Sequence, residues 1–151
     1  MKTVLAALGL LLASSIPVLA ADTALCRPAE TDPGPKPLPL NMVTAARTSF
    51  GYRAMPADVV RRLTVFRCAA GQPLMCSFGA NLPCGKANRA PSLPAVSSWC
   101  LTHPQSDVVP AYVTGHDSLF QWHCAGGQAV ASHPAAIDAQ GYFASYWKPV
   151  P

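Results

Sequence analysis

Between Thr64 and Cys68 the chain alternates: Thr64, Phe66 and Cys68 fall on one side, Val65 and Arg67 on the other. A period of two is that of a β-strand. "AAGQ" (69–72) then reads as a turn, because Gly71 tolerates a positive φ. Leu74, Cys76 and Phe78 supply the apolar face of a return strand. The pattern predicts a hairpin with Phe66 and Cys68 inward and Arg67 outward. Much of "VFRCAAGQPLMC" (65–76) recurs as "QWHCAGGQAVAS" (121–132). Cys, Ala, Gly and Gln return in register, an aromatic stands two residues before each Cys, and His123 answers Arg67. The shared identities lie on inward and turn positions, which predicts two hairpins of one scaffold with Phe66/Trp122 and Cys68/Cys124 in a common core. Arg67 and His123, on the outward phase, remain as candidate contact residues.

Elsewhere the pattern changes period. In "NMVTAARTSFGYRAMP" (41–56), Val43, Ala46 and Phe50 recur at helical spacing, Asn41 is a candidate cap, Gly51 a helix end, and Pro56 a stop. The stretch after Pro56 leads into the strand. "GANLPCGKANRAPSLP" (79–94) is Gly-, Asn- and Pro-rich and reads as a loop pinned by Cys84. "AVSSWCLTH" (95–103) predicts a short helix with Val96 and Cys100 on one face, closed by Pro104. "DVVPAYVTGHDSLFQWHC" (107–124) predicts a further hairpin, with strands at 108–113 and 119–124 around a turn at 114–118. "IDAQGYFASYW" (137–147) predicts a turn at 138–141 and a last strand. The fold class that follows is α+β, mostly β: a small antiparallel meander of short hairpins with one or two short helices, stapled by disulfides.

The disulfides come from composition. The first twenty residues, with Lys2, an apolar run from Val4 to Leu12 and the small-residue end Val18-Leu19-Ala20, read as a secretory signal. Ser14, Ser15 and Pro17 interrupt the run too early for a membrane anchor. Leu25 before Cys26 does not suit a lipid-attachment site. Removal of Lys2 with the signal lowers the formal net charge from +4 to +3. Such a charge does not argue nucleic-acid binding, which needs a dense basic stripe. Cys26, Cys68, Cys76, Cys84, Cys100 and Cys124 remain, an even count in an exported chain, and their pairing is left open. Zinc is the competing use, with His103, His116, His123 and His133 also present. No C-x-x-C or H-x-x-x-H spacing supports it, so no metal and no cofactor is expected. Residues 21–40, with five prolines between Cys26 and Leu40, read as a stiff tether. Residues 41–151 then form a single domain.

Candidate chemistry is sparse. His116, Asp117 and Ser118 have the residue types of a hydrolytic triad, but sequence neighbours rarely align as one, and no G-x-S-x-G elbow occurs. Gly115, Asp117 and Ser118 are ordinary turn formers, leaving His116 as a pH-responsive contact residue. Asp107, Asp117 and Asp138 are scattered and suggest no carboxylate pair. The loop tied by Cys84 offers Asn81, Lys86 and Asn88 for hydrogen bonds to a glycan or a partner protein, and its constraint lowers the entropy cost of binding.

The runs "FRCAAGQPLMCSFGANLPCGKAN", "VPAYVTGHDSLFQWHCAGG" and "DAQGYFASYWKP", with Trp99-Cys100 between the first two, resemble small exported cysteine-rich proteins of proteobacteria, rhizobium-like ones especially. The resemblance runs from Thr64 onward and implies a shared fold and export, and no activity. A second likeness is to the periplasmic inhibitors of C-type lysozymes. Their small β-barrels open with an aromatic-x-Cys-x-x-Gly strand and turn, matched by Phe66, Cys68 and Gly71. This chain lacks their Ser-Gly-x-Gly-type inhibitory loop, with "SFGAN" (77–81) in its place. The function expected is a non-catalytic binding module of the bacterial envelope, periplasmic or secreted, acting on an envelope protein or glycan. Inhibition of a lytic enzyme, or hydrolysis through His116, are the alternatives.

Overall fold

Two hairpins organise the chain, and their turns explain the repeated letters. In a computed structural model that describes residues 25–79 and 81–151, β2 (Thr64–Ala69) pairs antiparallel with β3 (Gln72–Ser77), and β4 (Gln121–Ala125) with β5 (Gln128–Ser132). Both loops are two residues long with positive φ at both positions: Ala70 and Gly71 at 50° and 82°, Gly126 and Gly127 at 58° and 79°. That is the hand of turn whose twist matches a hairpin. The secretory segment (1–20) lies outside the described residues.

The two hairpins stand in different sheets. β2 and β3 are the centre of a four-stranded sheet, flanked by β1 (Lys36–Pro37) and β6 (Lys148–Pro149), while β4 and β5 form a sheet of their own. Phe66 packs with Leu38, Met42 and Met75. Trp122 and Cys124 pack with Val96, Cys100 and Val109 in a separate cluster. The repeat therefore encodes a local turn and not the expected common core.

The glycines at the second turn position provide a test. A Cβ on Gly71 would lie 2.9 Å from the Ala29 backbone nitrogen, whereas one on Gly127 would have the Cys100 carbonyl oxygen as its nearest contact, at 3.8 Å. Both substitutions to alanine carry the left-handed penalty of roughly 1–2 kcal/mol. Gly71→Ala is expected to cost about 1–3 kcal/mol more through the clash, read as the difference between the two variants in urea unfolding.

The four-stranded sheet is covered on both faces. On one lie α1 (Val43–Phe50), preceded by a 3-10 turn at Leu40–Met42, and α2 (Ala57–Leu63). Met42, Val43, Ala46 and Val60 pack there on Phe66 and Met75. On the other face Tyr142 and Trp147 close over Val65, Leu74 and Cys76. Burial on both faces is why the alternation misled. Arg67, expected outward, is fully buried, and Phe78, expected inward, is 46% exposed at the strand's end.

Other expectations need correction. The Pro-rich segment from Leu25 to Leu40, expected as a stiff tether, is instead packed into the fold. Cys26 is bridged to Cys68, Leu38 is fully buried, and Lys36–Pro37 pairs with Val65 and Phe66 as an edge strand, where proline's missing donor costs no ladder bond. Asn41 makes no side-chain cap, although Gly51 does close α1 at φ 74°. Residues 57–63, which lead into the strand at Thr64, form helix α2. The strand expected at 108–113 is replaced by the short helix α4 (Ala111–Thr114), because Pro110 lacks an amide for a ladder and starts a turn instead. Among the described residues, two backbone bonds join the 106–113 segment to β4: Val109 N–H donates to Trp122 O (2.8 Å) and Cys124 N–H to Ser106 O (2.7 Å). The last expected strand (142–147) is irregular beyond single bridges at Tyr142 and Phe143, with pairing resumed at β6. The short helix expected near Val96 is α3 (Pro94–Thr102), with Val96 and Cys100 buried on one face as anticipated.

All six cysteines are paired: Cys26–Cys68, Cys76–Cys84 and Cys100–Cys124. The α+β, disulfide-stapled class stands. The bridges fit folding in an oxidising compartment, and among the described residues no helix is long and apolar enough to cross a membrane.

Candidate functional site

The most concentrated polar cluster surrounds Arg67. Its guanidinium lies over the rings of Tyr142 (4.2 Å) and Trp147 (4.5 Å) and donates to the Asp138 carboxylate and the Gln140 side-chain carbonyl. Gln140 Nε2 donates to Asp32 O at 2.6 Å. Asp32 accepts from Cys68 N–H at 2.7 Å and pairs with Lys36 at 2.5 Å. Asp138 Oδ1 also accepts the amides of Gln140 (2.9 Å) and Tyr142 (3.0 Å), which sets the 138–141 turn. A buried arginine thus ties the N-terminal segment, β2 and the C-terminal turn together. Its donors point into protein, so it is a cross-brace and not a contact residue.

Burial pushes the Asp138 carboxyl up, but bonds from the Tyr142 amide and Arg67, the Arg67 charge and the Gln140 amide together hold it below its ordinary value. Burial likewise raises Asp32, and Lys36, the Cys68 amide and Arg67 outweigh it. A carboxyl depressed in the folded state contributes stability that is complete above its unfolded value, about 3.9, and is lost as pH falls through the folded one. Urea midpoints are therefore expected to hold from neutral pH to about pH 4 and to drop below it. Asp138→Asn should flatten that drop. An equally steep acid loss in the variant would contradict this role.

Glu30, Asp32 and Cys68 also bring possible ligand atoms within 4.8 Å of one another. They do not suit a metal: the Cys68 sulfur is in a disulfide, and the Lys36 ammonium sits 2.5 Å from Asp32 and 3.6 Å from Glu30.

The residues singled out from the sequence do not converge. Asn81 is exposed near the tip of its loop. Lys86 is exposed, with its ammonium 5.7 Å from the centre of the Tyr142 ring. Asn88 is structural: its Oδ1 accepts Ala90 N–H (3.0 Å), its N–H donates to Asp117 O (2.6 Å), and its carbonyl accepts Leu119 N–H (2.8 Å). His116 is exposed on a turn. Ser118 Oγ–H donates to Phe120 O and the oxygen accepts Trp122 Nε1–H, both at 2.9 Å, so its proton is committed away from any imidazole. His123 is half-buried and lines a groove of about 500 Å³ with Asp107 and His133.

A different place gathers ligand-binding character. A cleft of about 690 Å³ opens between the end of α1, the end of β3 and residues 145–148. Its walls are Phe50, Tyr52, Phe78, Leu82 and Tyr146. Each comes from the end of an element. Gly51 turns the chain out of α1, so Phe50 and Tyr52 flank a left-handed residue. Phe78 follows the last residue of β3, inside the Cys76–Cys84 bridge that fixes its loop. The Lys148 ammonium donates to Ser49 O at 2.9 Å and lies 5.1 Å from the centre of the Phe50 ring. At the floor, Ser77 Oγ–H donates to Leu63 O (3.1 Å), which leaves the Tyr52 hydroxyl to donate to Ser77 (2.6 Å).

Ser77 opens the "SFGAN" stretch, yet it is buried and its hydroxyl is spent internally, so it does not present itself to a partner enzyme. Sequence reasoning pointed to the 79–88 loop, and two of the loop's residues, Gly79 and Leu82, do line the cleft. It missed Phe50, Tyr52, Tyr146 and Lys148, which no local pattern singles out because they come from segments distant in sequence. No protein family, curated protein or solved structure matches this chain.

Proposed function

We propose that the chain is a non-catalytic binding module of the bacterial cell envelope, and that it holds an envelope component in the cleft walled by Phe50, Phe78 and Tyr146. The observation that carries this is the cleft itself: an exposed Phe78 and the half-buried rings of Phe50, Tyr52 and Tyr146 beside serine hydroxyls and one cation, on a frame held by a disulfide. Sites of this kind have apolar walls with a few placed polar groups. A wall fixed by a covalent bridge loses little entropy on binding. The non-catalytic part of the reading is supported by what the usual nucleophiles are doing. Every cysteine is in a bridge and Ser118 is bound to Phe120 and Trp122.

Retention on isolated envelope polysaccharide tests it. Wild-type protein is expected to co-sediment, and Phe78→Ala with Tyr146→Ala to lose about tenfold or more in affinity, the effect of truncating central aromatic contacts. Phe78 is half exposed, so the fold should survive, checked by circular dichroism. Equal retention of both proteins would remove the cleft from the proposal. Retention of neither would remove envelope binding.

A further inference from the structure

The geometry points to an acidic saccharide as the ligand, an inference that rests on the binding reading just given. Among the described residues, Lys148 is the only charged side chain lining the cleft, and no aspartate or glutamate lines it. One of its three N–H donors is used by Ser49 O, which leaves two for a ligand. A carboxylate placed there gains charge-assisted hydrogen bonds and meets no like charge. The body of the ligand is set by the walls. Phe78 is exposed and Phe50 and Tyr146 are half-buried in the wall, while Ser49 and Ser145 add hydroxyls to the lining. Apolar faces interleaved with hydroxyls suit a sugar ring, whose C–H face is apolar and whose rim is polar. An acyl chain would leave those hydroxyls desolvated without partners, at a cost of about 1–3 kcal/mol each.

A second groove continues the same chemistry. Gly51 also borders a groove of about 330 Å³ lined by Thr44, Thr48, Arg47 and Arg53, again with no acidic side chain. Arg47 spends two donors on Met55 O (3.1 and 2.6 Å), and Arg53 is exposed. Cations therefore flank Gly51 on both sides.

The probe is trigalacturonate, compared with its methyl ester, which keeps the rings and removes the charge. Backbone amide shifts of the whole protein are followed at up to ~10 mM ligand, a range that detects weak binding. Trigalacturonate is expected to shift the amides of Phe78, Tyr146 and Lys148, and to bind about fivefold or more tightly than the ester. Lys148→Gln, which removes the charge and keeps a polar side chain, should bring the two ligands within about twofold. Equal affinity of acid and ester for wild-type protein would overturn the acidic preference and leave the cleft as a neutral-sugar site. Absence of cleft shifts with either ligand would overturn the acidic-saccharide inference, while polysaccharide retention dependent on Phe78 would still stand by itself.

Discussion

Arg67→Ala is expected to lower stability by about 3 kcal/mol, the low end for breaking a buried ion pair. The low end applies because Asp138 is 28% exposed and regains some water when its partner is lost. Arg67 itself is fully buried, so its removal also leaves a gap between Tyr142 and Trp147 and strips Gln140 of a donor. Arg67→Lys should recover only part of the loss, since an ammonium cannot serve Asp138 and Gln140 with one planar fork or stack as closely on two rings. Arg67→Met combined with Asp138→Asn removes both charges and refills the gap, and should be milder than Arg67→Ala alone. Urea unfolding of the four proteins gives the order. A loss under about 0.5 kcal/mol for Arg67→Ala, the scale of a plain surface substitution, would refute the cross-brace.

The second large effect concerns the bridges. Cys26–Cys68, Cys76–Cys84 and Cys100–Cys124 close separations of 42, 8 and 24 residues. Loop-closure entropy then ranks their contributions at about 4, 2.5 and 3.5 kcal/mol. Paired Cys→Ser variants should follow that order in unfolding free energy. Cys26–Cys68 should stand further apart than the entropy alone suggests, because the segment it anchors also carries Leu38, Asp32 and β1 into the fold. The Cys76–Cys84 variant should lose least stability and most ligand affinity, since that bridge holds the wall bearing Phe78 and Leu82. If its affinity matched wild type, the pre-ordered wall would play no part in binding.

How much of this was legible depends on the range of the physics involved. The tight turns at Ala70–Gly71 and Gly126–Gly127 were readable because a left-handed turn is a local demand met by local residues. Helix α3 was readable because Val96 and Cys100 lie one turn apart and Pro104 follows. The facing of Arg67 was not. Alternation assigns two faces to a strand, but here both are covered, and an arginine can go inside when an aspartate 71 residues away arrives to meet it. The strand expected at 108–113 failed because Pro110 outweighed the apolar run around it. The tether failed because proline forbids a helix but says nothing against packing at a sheet edge.

By itself, then, the sequence determined the fold class, the two hairpin turns, the helical face of Val96 and Cys100, and the supply of six cysteines for covalent staples. These rest on neighbours a few residues apart. Only the tertiary structure decided the pairing of those cysteines, the separation of the repeated hairpins into two sheets, the burial of Arg67 and the position of the aromatic cleft. Each of these requires residues from distant segments to meet, as Phe50, Phe78 and Tyr146 do around the cleft. Which distant segments meet is set by the packing of the whole chain, and no local pattern carries that information.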